Sequence, residues 1–213
     1  VPLTGGTARP ARAASAAKPL APETWMPPVK EEIRRFKRER ILEAASQLFY
    51  ERGFSGTTMD DVAGRLSVTK PFIYTYFENK HALLVAIYEM ATQRLLDTLQ
   101  QAMALDGTPD EQLRGFVQRF ARENMESVML STVFLQEEKH LDEKFLMSIR
   151  KHQHTFDRQL AELIRRGSAA GVFHVEDATV ASLAITGMVR WLQRWYKPDG
   201  RLPVDEISRL LAD

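Results

Sequence analysis

The sequence predicts an all-α protein in two parts: an N-terminal tri-helical helix-turn-helix unit and a larger C-terminal helical bundle. Three observations predict it. From Lys30 onward apolar residues recur at helical spacing, as in Ile41, Ala44, Ala45, Leu48 and Phe49. Turn and capping residues cut the pattern into two short segments before residue 78 and several long ones after it. No alternating apolar–polar stretch of useful strand length occurs, and no internal repeat.

Residues 1–29 are rich in Ala, Pro and Gly, carry Arg9, Arg12 and Lys18, and have no periodicity. They read as a flexible arm, either a passive tail or a basic arm for phosphates. The first helix follows from Lys30, and Gly53 stands where a left-handed C-terminal cap belongs. Thr58-Met59-Asp60-Asp61 reads as an N-cap with acids at the positive helix end, opening a short helix to about Leu66. Ser67 and Val68 make a tight turn. Thr69 caps a third helix over about Lys70–Phe77, whose first turn tolerates Pro71 because no intrahelical N–H bond is lost there.

Asn79 caps a long fourth helix, about Lys80–Leu105, which Gly107-Thr108-Pro109 breaks. Further helices are expected over 109–130, 133–139, 142–169, 177–196 and 204–212, with clear breaks at Gly167–Gly171 and Lys197–Gly200. The expected division is an arm (1–29), a DNA-binding unit (30–79) and a ligand-binding and dimerisation unit (80–213).

Composition narrows the function classes. The chain has 213 residues, 44% hydrophobic and 27% charged, which fits a folded protein with a sizeable core. Its net charge of +1 hides an asymmetry: residues 1–80 carry 13 Lys/Arg against 9 Asp/Glu, and the remainder 16 against 19. Any polyanion should therefore meet the N-terminal part. The absence of cysteine excludes disulfides, thiolate metal sites and cysteine nucleophiles, and fits a cytoplasmic setting. No apolar run approaches a membrane span, and no secretory signal is visible. The histidines are His81, His140, His152, His154 and His174, without metal-ligand spacing, and no HExxH, G-x-S-x-G or phosphate-cradling glycine loop occurs. Neither enzyme, metal nor cofactor is expected.

The two short helices and their tight turn carry the chemistry. The second would enter the major groove of double-stranded DNA. Lys70 can bond a guanine edge or a phosphate, and Thr69 and Thr75 can bond bases or phosphates. Tyr74 and Tyr76 can donate to phosphate, while Ile73 and Phe77 read as core and Phe72 as either core or surface. The helix beginning after Thr57 or Thr58 offers free N–H groups to a phosphate, and Lys80 opens the next helix similarly.

The stretch Arg40–Tyr88, including VTKPFIYTYFENK, resembles the DNA-binding domain of the TetR family of transcriptional regulators over about 50 ungapped residues. The resemblance implies DNA contacts from Thr58, Thr69, Lys70, Pro71, Tyr74, Thr75, Tyr76 and Lys80. Two positions depart from it: Ser67 stands where the family usually has Gly, and His81 where it has an acid.

The resemblance also implies a C-terminal domain that binds a small effector and dimerises. Gly187–Ser208, GMVRWLQRWYKPDGRLPVDEIS, and LAELIRRGSAAGVF over 160–173 are similar to a branch responding to acyl-CoA thioesters in lipid or steroid breakdown. Arg190 departs from that branch, where Asn commonly precedes the first Trp. The implied acyl tunnel draws on Phe116, Phe120, Phe134, Phe156, Met188 and Trp191, and the CoA phosphates on Arg190 and Arg194. Another apolar or aromatic effector, or an architectural DNA-binding protein with no ligand, remain as alternatives. The last two helices, with Leu183, Ile207, Leu210 and Leu211, are expected to form a homodimer seam that sets the half-site spacing of a near-palindromic operator. Repression released by ligand is the implied mode of action.

Overall fold

A computed structural model describes residues 29–213, among which only helices and connecting turns occur. The expected arm falls outside the described residues, apart from Val29. Helix α1 (Val29–Arg52) ends on Gly53, whose φ of 72° is the left-handed cap its position promised. α2 (Met59–Arg65) starts on a reciprocal cap: the Thr58 N–H donates to the Asp61 carboxylate at 2.8 Å, and the Asp61 N–H donates to the Thr58 hydroxyl.

In the turn before α3 (Lys70–Tyr74), Ser67 has φ 55°. Left-handed backbone costs a residue with a Cβ about 1 kcal/mol. Ser67→Gly is therefore expected to raise stability by about 0.5–1 kcal/mol, read as a higher urea midpoint at unchanged slope. A lower midpoint would contradict this account of the turn.

Helix α3 is shorter than the expected Lys70–Phe77. The Thr75 hydroxyl donates to Phe72 O at 2.7 Å and competes for a helical carbonyl. The chain tightens there, with the Tyr76 and Phe77 N–H groups both bonded to Ile73 O.

α4 (Lys80–Met103) is capped by Asn79, whose side chain accepts from the Ala82 N–H. The two helices expected over 109–130 and 133–139 are α5 (Pro109–Glu126) and α6 (Val128–Gln136), and the break between them comes earlier than expected, as a bend at Ser127. Asn124 spans the bend, donating to Phe120 O at 2.9 Å and accepting from the Ser131 hydroxyl at 3.1 Å. A single 3₁₀ turn, Glu138–His140, leads on to α7 (Glu143–Ala169). Gly171 caps α7 at φ 75°, and the chain folds back so tightly that a Cβ on Gly167 would collide with the Phe173 ring. The helix expected over 177–196 divides at Trp191 into α8 (Ala178–Arg190) and α9 (Leu192–Trp195), and α10 (Val204–Ala212) closes the chain.

Two apolar cores result. The first joins α1, α2, α3 and the first half of α4 through Ile41, Phe49, Val62, Ile73 and Ile87, and it reaches Val133 on α6 and Ile149 on α7. The second joins the rest of α4 to α5, α7, α8 and α10 through Leu99, Phe116, Leu160, Val189 and Ile207. α4 thus belongs to both. α10 corrects the expected dimer seam: its apolar face packs on α5 of the same chain, so Ile207 is buried in the protomer and Leu211 packs beside it. Arg122 and Asp205, 2.5 Å apart, and the pair Arg114–Asp213 fasten the two helices.

Candidate nucleic-acid interface and effector cavity

Thr69, Lys70, Pro71, Tyr74 and Thr75 form one exposed patch on and beside α3. The Thr69 hydroxyl makes no capping bond. The Lys70 ammonium lies 2.7 Å from the Asp60 carboxylate, which holds its pKa above the usual lysine value. Both groups are exposed, so this bond competes with water and yields easily to a stronger anion. Thr58 is committed to its cap: hydrogen bonds from its hydroxyl and then its backbone hold the Asp61 pKa down. Tyr76 is half-buried with its ring 5.3 Å from that of Phe72, which itself packs on the first core. Ile73 and Phe77 are buried, as read from the sequence. Lys80 points inward instead of toward solvent: Nζ donates to Phe54 O at 2.6 Å and sits 4.3 Å from the Phe54 ring centroid. The carbonyl and the ring's negative face together attract the ammonium.

Two hollows lie in the C-terminal bundle. An inner cavity of about 80 Å³ is bounded by Leu95, Phe120, Asn124, Leu130, Phe134 and Arg190. A wider cleft of about 280 Å³ is bounded by Phe156, Asp157, Leu183 and Thr186, and it shares Thr92, Leu95 and Arg190 with the first. Arg190 therefore stands in the wall between them, its guanidinium 5.3 Å from the Phe134 ring centroid. Burial pulls its pKa down, while Asp157 and then Glu138 counteract that pull.

Asp157 is pushed up by burial, with Arg190 and His154 pulling the other way. A carboxyl whose folded pKa is raised is penalised once it ionises. The penalty is absent below the ordinary value of 3.8 and complete above the raised one. Asp157→Asn is therefore expected to melt above the native protein at pH 7, the gap closing as pH falls toward 4. A gap that widened on acidification would contradict this sign.

Of the predicted effector residues, Phe120, Phe134 and Arg190 meet at the inner cavity, and Phe156 and Arg190 at the cleft. Phe116 is fully buried behind them, 5.5 Å from Phe120 and 5.8 Å from Phe156, so it supports the wall without lining it. Met188, Trp191 and Arg194 are exposed and lie outside both hollows. Helical period is the reason. Ser182, Thr186 and Val189 take the inward face of α8 and leave 188 and 191 outward. Sequence reading missed Thr92, Leu95, Asn124 and Leu130, since nothing distinguishes a cavity-lining Leu from a core Leu in one dimension.

An apolar stripe of Val180, Leu183, Met188, Trp191 and Trp195 faces solvent along α8 and α9. Patches of this kind mark interaction surfaces.

α6 connects the two regions. Leu130 and Phe134 bound the inner cavity, whereas Val133 is buried in the first core. The Tyr88 hydroxyl donates to Phe134 O at 2.6 Å, and burial pushes its pKa up, so it stays protonated. At the far end the His140 ring stacks 4.8 Å from Phe54, in the loop that leads to α2.

Residues 41–87 match the family described as bacterial regulatory proteins, tetR family. Residues 106–213, just over half the chain, match the tetracyclin repressor-like C-terminal domain. The HTH-type transcriptional repressor KstR2 of Mycolicibacterium smegmatis (strain ATCC 700084 / mc(2)155) is 24% identical over 197 residues, spanning 89% of this chain and 91% of that protein. The crystal structure of the TetR family transcriptional regulator PfmR from Thermus thermophilus is similar at a TM-score of 0.74 and 31% identity, over 81% of this chain and 94% of that one. The structure of AibR in complex with isovaleryl coenzyme A and operator DNA is similar at 0.74 and 27% identity, over 83% and 96%. An exposed helix-turn-helix, a bundle with its own core and matches to both halves lead to one conclusion: the chain belongs to the TetR family of transcriptional regulators.

Proposed function

We propose that this chain is a repressor that grips a near-palindromic operator as a homodimer and lets go when an acyl-CoA enters the C-terminal bundle. The observation that carries the reading is α6, which forms a wall of the inner cavity and part of the first core at once. An effector that moves α6 changes the seat of the DNA-binding unit.

Residues 30–79 read DNA, and residues 80–213 bind effector and partner. Thr69, Lys70, Pro71, Tyr74 and Thr75 enter the major groove, with Thr58 and Tyr76 beside the phosphates. Lys80 braces the α1–α2 loop through Phe54. The acyl chain lies among Leu95, Phe120, Leu130 and Phe134. Arg190 pairs with the thioester oxygen or an anionic group of the coenzyme, which lies in the cleft. The apolar stripe on α8 meets its copy across a two-fold axis. Operator binding sets the work in the cytoplasm.

Support comes from two relatives. KstR2 is a repressor by name, and AibR holds isovaleryl coenzyme A and operator DNA. Calorimetry with acyl-CoAs of increasing chain length tests the effector class. Saturable binding of at least one is expected; no binding by any would remove acyl-CoA from the account.

A further inference from the structure

The first three turns of α1, Val29–Arg40, are exposed throughout, and the first core begins only at Ile41. At 1.5 Å per residue, about 18 Å of helix thus projects past the folded unit. Burial does not explain its direction or its composition.

Its charges are sorted by face. Lys30, Arg34 and Lys37 recur at i, i+4 and i+7, within about 60° of one another around the helix. Glu31, Glu32 and Glu39 lie on other faces, where Glu39 pairs with Arg35 at 3.7 Å. Lys30, Arg34 and Lys37 have no ion-pair partner among the described residues. They line a groove of about 340 Å³ whose opposite wall is Thr75 and Tyr76, at the end of the recognition segment. Lys37 Nζ stands 5.8 Å from the Phe72 ring centroid, which holds the projecting helix beside α3.

We infer that this groove is a second DNA contact: it takes the sugar–phosphate strand flanking the major groove that α3 enters. The inference rests on the DNA-binding reading above and adds residues that reading does not use. A row of three cations without acids matches a phosphate strand in charge, and its far wall is continuous with the α3 patch. Contacts to phosphate oxygens give grip without sequence preference. This contact therefore strengthens binding to all duplexes alike.

The test compares the native chain with the triple variant Lys30→Gln, Arg34→Gln, Lys37→Gln, using fluorescence anisotropy on a mixed-sequence duplex across a salt series. The variant is expected to bind at least about tenfold more weakly at low salt. Its log affinity should fall less steeply with log salt, by about 0.9 for each phosphate contact removed. Replacing the three by the alternative cation (Lys30→Arg, Arg34→Lys, Lys37→Arg) should retain the native slope. Unchanged helicity by circular dichroism and unchanged effector binding accompany the expected result. A glutamine variant with native affinity and slope overturns the inference alone. A native chain that binds no duplex overturns the DNA-binding reading along with it.

Discussion

Val180→Glu combined with Trp191→Glu is expected to halve the mass in solution and to weaken operator binding by about 10²–10⁴-fold. Both side chains are more than 60% exposed in the single chain, and neither lines a hollow, so the substitutions leave the protomer's cores intact. Paired in a dimer, the stripe on α8 would lose water on both copies, at about 25 cal/mol per Å² of apolar surface. Four carboxylates brought together across a two-fold axis oppose that burial. The effect on DNA follows from linkage: in a dimer the second recognition helix binds as an intramolecular event, and separating the copies removes that gain. Light scattering reads the mass, and anisotropy on an operator selected from random duplexes reads the affinity. A variant that stays dimeric with native affinity would place the interface elsewhere, with the exposed Leu210 of α10 the next surface to test.

Arg190→Leu is expected to weaken acyl-CoA binding by about 10- to 100-fold while leaving effector-free DNA binding unchanged. Hydrogen bonds to a charged group contribute about 1.5–3 kcal/mol, and each 1.4 kcal/mol is a factor of ten. Arg190 is the one cation bounding both hollows, whereas Arg94 bounds only the inner one. The protomer should melt somewhat lower at pH 7, because removing Arg190 leaves the part-buried Asp157 carboxylate without the cation that offsets its burial. Calorimetry checks the affinity and a thermal melt the fold. Native affinity in Arg190→Leu would mean that the ligand's polar end lies away from the junction.

Much of the DNA-binding unit was legible in the sequence because it is built from local rules. Gly53, Thr58 and Asn79 cap or end their helices through bonds to residues a few positions away, and their spacing shows it. Ser67 stood out in its turn because the family resemblance has Gly at that position, the residue left-handed backbone favours. The end of α3 was not legible: the Thr75 hydroxyl chose Phe72 O over solvent, a competition that propensity does not resolve. The bend at Ser127 depends on Asn124 bonding both of its sides, and no breaker residue announces it.

The candidate effector site was only half legible, for a different reason. Large apolar side chains on α5, α6 and α7 suit a core and a cavity equally, so Phe116 and Phe120 look alike until α7 and α8 are in place. The face of α8 was decided by its small residues: Ser182 and Thr186 turn inward, and they send Met188 and Trp191 out. The direction of Lys80 likewise depended on Phe54, 26 residues away in the chain.

The central claim is that one ligand-bound bundle controls the DNA grip. It is tested most directly by anisotropy of a labelled operator duplex with the acyl-CoA that calorimetry shows to bind. A coupling of about 1–3 kcal/mol predicts a 5- to 150-fold loss of operator affinity at saturating ligand, reached in Arg190→Leu only at about 10- to 100-fold higher ligand concentration. Operator affinity that stays constant while the ligand demonstrably occupies its site would contradict the switch.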